Sequence, residues 1–311
     1  MEPFFLAPYS VSAIWAGSRL SKIRGAHEAG QIGISREVCA YKGAENVVES
    51  GEFEGQSIRD VIENHTVPLM GGDISNQLIR IAYIDTVEDL SLQVHPVEEY
   101  ARVVEDDYEK AEAWYILDCA EDAYVIAGTT ISDADVLKEA ALSGALESFM
   151  RRIPVKKGDF ILIPAGLLHA CGKDMLAIEI GSFGGITYRI YDFGRGRELD
   201  IEKGFDVLVA GLSAEKKSYP KESFKGDFKK MQGIAHPLFR SDVVDIKGSY
   251  KAEKGDYYTI VTVVEGMANL IAEGKNYYIP YTRSVIIPAC IRKFEIVGEC
   301  RILESYGGAV N

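Results

Sequence analysis

The chain is predicted to be mainly β with inserted helices, folded as two small barrels, and three observations carry that expectation. The segment Gly158-Asp-Phe-Ile-Leu-Ile-Pro164-Ala-Gly166-Leu-Leu-His169 is a turn, an apolar strand and a Pro/Gly corner, followed by a histidine delivered at the barrel mouth. The runs 90–96 and 110–117 alternate with period two, so Gln93 and His95 share one face, as do Lys110, Glu112 and Trp114. From about Phe239 the chain becomes a series of short strand-like runs separated by turn residues, the pattern of a second barrel. There Ile286-Ile-Pro288-Ala echoes Ile161-Leu-Ile-Pro164-Ala, but no histidine follows it.

The helices are read from their ends. Ser57 caps a short helix that runs to His65, and a second runs from Val97 to Asp106 after the His95-Pro96 stop. Ser132-Asp-Ala-Asp135 resembles a capping box and opens a helical stretch through Met150 that Ser143-Gly144 breaks in two. Arg151-Arg152 then suits the negative pole of that helix. A last helix is expected over 200–209. The expected division is residues 1–235, a metal-binding domain with a helical insertion at about 97–150, and residues 236–311, a β domain without metal ligands.

Composition narrows the function classes. A chain of 311 residues with 47% hydrophobic and 26% charged residues can bury one large or two smaller cores. Its net charge of −13 argues against nucleic acid, which needs clustered Lys and Arg. No apolar run reaches the ~18–20 residues of a membrane span, and the Met1-Glu2-Pro3 start lacks the positive region of a secretory signal. Five scattered cysteines without a Cys-x-x-Cys suit a reducing compartment, and the expected location is cytoplasmic.

Gln93, His95, Glu112 and His169 together offer one amide oxygen, two imidazoles and one carboxylate, a donor set that suits zinc and accommodates other divalent metals. His27, His65 and His236 lack such surroundings and are read as structural or surface residues. Cys171, close to His169, is read as a small buried filler.

The segment from Gly158 to His169 resembles the second cupin motif, with Lys173 where an Asn is usual. Gln93-x-His95 with Glu112 resembles the first cupin motif of type I phosphomannose isomerases in their short bacterial form, and Thr187-Tyr-Arg189-Ile-Tyr-Asp192-Phe-Gly-Arg195 follows in the family's order. The resemblance covers nearly the whole chain and implies two cupin-type jelly-roll barrels, the first catalytic. It implies one zinc ion held by Gln93, His95, Glu112 and His169, and interconversion of mannose 6-phosphate and fructose 6-phosphate by a monomer or homodimer. Arg189 is then the expected active-site residue. Lys110 and Ser91 line the substrate pocket, with Trp15, in a segment similar to the family's Trp-Gly-Gly, and Arg195 also expected at the substrate. A metal with one carboxylate ligand keeps a net positive charge that favours an enediolate, and Lys110 or a metal-bound hydroxide is expected to move the proton.

The chain also departs from the family. Ala82 stands where relatives carry a phosphate-binding lysine, leaving Arg80 on the same strand face, or Arg36, to serve instead. Residues 33–39 lack the family's Glu and Trp, and residues 181–185 lack its Gln, Ser and Asp. Alternatives to the isomerase reading are therefore a divergent cupin isomerase for another sugar or sugar phosphate, and a non-catalytic sugar-binding or regulatory protein with the metal as a clasp.

Overall fold

Period-two burial dominates the computed structural model, which describes residues 1–25, 31–72 and 78–308. The chain folds as two units, one from Ser10–Ile34 and Tyr83–Pro220, the other from Met1–Tyr9, Ser35–Ala82 and Lys221–Asn311. This differs from the single boundary expected at 235. The reason is long-range backbone pairing: Phe4 and Ile286 exchange N–H···O bonds of 3.1 and 3.0 Å, Ala289 N–H donates to Leu69 O, and Gly72 N–H donates to Asp256 O. Amino-terminal segments are thereby built into the carboxy-terminal unit, and backbone pairing of this kind leaves no local sequence signal.

In the unit of Tyr83–Pro220, one sheet runs through the strands Arg80–Thr86, Met175–Gly181, Glu112–Cys119, Asp159–Ile163 and Glu215–Ser218 in that order. The second sheet has the order Tyr188–Tyr191, Leu92–Val94, His169–Cys171, Tyr124–Thr129, Met150–Pro154. Trp114, Ile116, Ile161 and Ile163 from the first sheet and Leu92, Val94, Val125 and Ala170 from the second belong to one buried cluster, and each fully buried Val or Ile contributes about 1.5–3 kcal/mol. The helices Ala134–Ser143 and Ile201–Val207 supply Leu137, Ala140 and Val207 to that cluster. Gly204 lies so close to Ile190 that a Cβ would come within 2.9 Å of it. The helix Ile201–Val207 packs against the strands Tyr188–Tyr191 and Leu92–Val94 of the second sheet.

Several expectations are corrected in detail. The cap of Ala134–Ser143 is Asp133 rather than Ser132, because the Asp133 carboxylate accepts from the N–H groups of both Asp135 and Val136. Gly144, left-handed at φ 76, ends the helix, and a short 3₁₀ turn, Leu146–Phe149, follows. Arg151 and Arg152 lie on the strand Met150–Pro154, where Arg151 donates to Thr129 O, so they do not sit at a helix pole. Residues 97–150 are not a helical insertion, because Glu112–Cys119 and Tyr124–Thr129 within them are core strands. The helix Ile58–Asn64 carries its cap as expected, Ser57 Oγ accepting from Arg59 N–H, and Glu98–Glu105 ends at left-handed Asp106. The short helices Arg19–Ile23 and Thr66–Met70 are additional.

The other unit is built on a six-stranded sheet whose strands Phe239–Glu253 and Lys293–Gly307 pair through fifteen residues without a register break. Val244, Val263, Leu270, Ile287 and Ile302 fill its core. Lys254, 7% exposed, donates to the carbonyls of Tyr257 and Pro288. Burial, with Arg292 alongside, pushes its ammonium down to about 8 from 10.5. Between those values the unfolded chain holds a proton that the folded chain has released, so stability rises with pH in this window. Denaturant unfolding is expected to show increasing stability from pH 8 to 9.5, with the Lys254 contribution to that slope absent in Lys254→Met; identical slopes would contradict the assignment. Among the described residues no helix is long and apolar enough to cross a membrane.

Candidate metal centre

Strand pairing brings the four expected ligands together. Gln93 lies opposite His169 on one side and opposite Arg189 on the other, so these three residues form a row across three strands of the second sheet. Glu112 comes from the facing sheet, opposite Gly181 and Ile163, and His95 follows the end of Leu92–Val94. Gly166, at φ 82, makes the corner that turns the chain towards His169; a Cβ there would come within 2.7 Å of Val209. The ligand atoms of His95, Glu112 and His169 all lie within 4.8 Å of one another, and all three residues are buried.

The hydrogen bonds fix the tautomers. His95 Nδ1 lies 3.0 Å from Ile186 O, and His169 Nδ1 lies 2.8 Å from Leu167 O. A carbonyl only accepts, so each Nδ1 carries the proton and each Nε2 presents a lone pair. Those lone pairs converge on an anion: His95 Nε2 is 3.2 Å from Glu112 Oε1, and His169 Nε2 is 3.9 Å from Oε2. Burial, with the Lys110 ammonium beside it, pushes His95 down to about 3, and burial lowers His169 as well, so both rings are neutral at pH 7. Burial alone would raise the Glu112 carboxyl, but Lys110, His95 and His169 together outweigh it and hold the group well below the ordinary carboxylate range. His95 Nε2 and Glu112 Oε2 are buried without a hydrogen-bond partner among the described residues, and Glu112 Oε1 has the Lys110 ammonium as its ion-pair partner. Two lone pairs and a carboxylate facing one another are unfavourable unless a cation lies between them, and a divalent metal fits that requirement. Gln93 Nε2 is placed 3.3 Å from His169 Nε2, so the Gln93 side chain lies at the same cluster.

Two cations flank the cluster. Lys110, 8% exposed, has Nζ 2.6 Å from Glu112 Oε1 and 3.3 Å from Thr187 Oγ1. Arg189 Nε donates to Ser91 Oγ at 3.3 Å and its Nη1 to Glu198 O at 2.9 Å. Trp114 packs edge-on against His169, with ring centroids 5.5 Å apart.

The other residues expected at the substrate have these surroundings. Trp15 is a buried member of the apolar core, and its size explains that position. Arg195 is committed to Asp192 and to Asp89 O, so its donors are spent on protein acceptors. Arg80 opens the strand Arg80–Thr86, and the Arg36 guanidinium lies over Tyr9. Cys171 is buried, and burial with Glu112 and Glu179 nearby pushes its thiol well above the usual range, in keeping with a filler. His65 packs on Phe53 and His236 on Phe239, while His27 lies outside the described residues. Thr187 and the carbonyls of Ile186 and Leu167 were not singled out from sequence. Thr187 stands in the quoted Thr-Tyr-Arg run, whereas a carbonyl carries no sequence signal at all.

A cupin architecture with a buried two-histidine, one-carboxylate cluster in one unit defines the class: a cupin protein with a candidate metal centre. Residues 235–307 match the family model described as "Mannose-6-phosphate isomerase, cupin domain". The "Probable mannose-6-phosphate isomerase GmuF" of Bacillus subtilis is 30% identical over 98% of this chain and 99% of that protein. The "Mannose-6-phosphate isomerase ManA" of the same organism is 29% identical over 98% and 99%. The crystal structure of the mannose 6-phosphate isomerase from Bacillus subtilis aligns with a TM-score of 0.89 at 29% identity, over 98% of this chain and 99% of that one. The chain belongs to the mannose-6-phosphate isomerase family.

Proposed function

We propose that the protein is a zinc-dependent aldose–ketose isomerase that interconverts mannose 6-phosphate and fructose 6-phosphate, with one metal per chain. The observation that carries this reading is the convergence of the buried ligand atoms of His95, Glu112 and His169, with Lys110 paired to Glu112 and Arg189 on the adjacent strand. Gln93, His95, Glu112 and His169 hold the ion, which when bound supplies Lewis acidity to the sugar oxygens. Aldose and ketose differ by one proton moved between C1 and C2, so the pocket must shuttle a proton and tolerate negative charge on oxygen. Lys110 Nζ, after giving up its own proton to solvent, takes the proton from one carbon and returns it to the other, and Thr187 Oγ1 with Glu112 fixes where Nζ sits. Arg189 contributes fixed positive charge for the developing enediolate, and Ser91 Oγ orients it. The cytoplasm is the proposed location, supported by five free cysteines.

The test is a coupled assay with mannose 6-phosphate before chelation, after it, and after zinc return. The expected result is activity lost on chelation and restored by zinc; a fully metal-loaded protein that does not turn the compound over would contradict the reading. Ala82, in place of a cationic family position, favours a second reading in which another sugar phosphate is the substrate, and turnover of that sugar alone would establish it.

The loop carrying Ile186 O is stitched to residues 107–111. Gly185 N–H donates to Asp107 at 2.8 Å, Gly184 N–H to Glu109 O at 3.1 Å, and Ser182 Oγ to Glu109 O at 2.8 Å. A Cβ on Gly184 would come within 2.1 Å of Tyr108 O, so Gly184→Ala must displace this loop. Loss of the carbonyl that orients His95 is expected to weaken zinc binding by roughly 10- to 100-fold in chelator competition. Unchanged affinity would show that His95 does not depend on it.

A further inference from the structure

We infer that Asp192, Arg195 and Arg197 form a positioning knot that sets the reach of Arg189, a role that rests on the isomerase reading above. The two acceptors of the Arg189 side chain, Ser91 Oγ and Glu198 O, lie on segments far apart in sequence. The knot ties those segments together. Asp192, 4% exposed, accepts from Nε and Nη2 of Arg195 and from Nε and Nη2 of Arg197. Arg195 Nη1 also donates at 2.8 Å to the carbonyl of Asp89, two residues before Ser91. Arg197 is the residue immediately before Glu198. One buried carboxylate is thereby joined to both stretches of chain that hold the Arg189 guanidinium.

Asp200 completes the arrangement from the backbone side. Arg189 N–H donates to Asp200 Oδ2 at 3.0 Å, and Asp200 N–H returns a bond to Arg189 O at 2.7 Å. The main chain of Arg189 is therefore fixed independently of the knot, and what the knot adds is the position of its side-chain acceptors. A guanidinium misplaced by about 1 Å forfeits much of its effect on a transition state. Arg195, whose charge invited a substrate-binding role, acts through Arg189 instead.

A double-mutant cycle separates this role from a merely structural one. In the zinc-loaded protein, Arg197→Ala is expected to lower kcat for mannose 6-phosphate by about 10- to 100-fold with little change in KM. In an Arg189→Ala background the same substitution is expected to cost less than about twofold, because the group it positions is gone. Equal losses in both backgrounds, or no loss in the first, would overturn the inference. Should Arg197→Ala fail to fold, Arg197→Lys keeps a charge beside Asp192 without the forked contact. Its smaller loss must likewise vanish with Arg189, and a loss that persists without Arg189 would overturn the inference too. A folded, metal-loaded wild type that is inactive on mannose 6-phosphate overturns the isomerase reading itself, a result distinguishable from an additive cycle.

Discussion

Glu112→Gln is expected to abolish tight zinc binding and to lower kcat/KM by roughly 10³-fold or more, since a metal Lewis acid is worth several kcal/mol and about 4 kcal/mol corresponds to that factor. The substitution keeps the shape of the side chain and the pairing of its strand with Met175–Gly181 and Asp159–Ile163. It removes the only formal negative charge among the proposed ligands, and it leaves Lys110 without the carboxylate that now lies 2.6 Å away. Two cationic groups then compete for one region, the ammonium and the incoming ion. Chelator competition and the coupled assay measure the two effects separately. A glutamine variant that kept both zinc affinity and turnover would mean that Glu112 serves Lys110 alone.

Arg189→Ala should have the second-largest effect, a loss of about 10²- to 10³-fold in kcat, the range found when one preorganised donor to a developing oxyanion is removed. Zinc content should not change, because Arg189 contacts Ser91 and Glu198 rather than the ligand atoms. Its backbone is pinned by Asp200 whatever side chain it carries, so the fold should survive. A variant that lost zinc together with activity would instead place Arg189 in the support of the metal.

The part of this site that was legible from sequence is the part set by local geometry. Period-two alternation put Gln93 beside His95 and Glu112 beside Lys110 and Trp114, and the Pro164/Gly166 corner explained why His169 arrives where it does; the registers set Gln93 opposite His169 and carry Glu112 and Trp114 on one strand, with His95 and Lys110 just outside the strand ends. Helix ends were legible to within a residue or two because Ser57, Asp106 and Gly144 act through their own backbone neighbourhood. What was illegible depends on distant partners. Trp15 is an aromatic that the core absorbed, and Arg195 is a cation that Asp192 claimed. That amino-terminal segments join the unit of Lys221–Asn311 was illegible because it rests on pairing such as Phe4 with Ile286. The carbonyls of Ile186 and Leu167, which decide the tautomers of both histidines, belong to residues whose identity does not matter for that role.

X-ray absorption at the zinc edge of protein loaded with one equivalent of zinc tests the central claim most directly. The expected spectrum shows a shell of nitrogen and oxygen donors with the outer scattering of two imidazoles, reduced to one in His169→Ala and absent when His95 is also replaced. A spectrum unchanged by those substitutions would mean that zinc resides elsewhere, and the four side chains gathered here would not be its ligands.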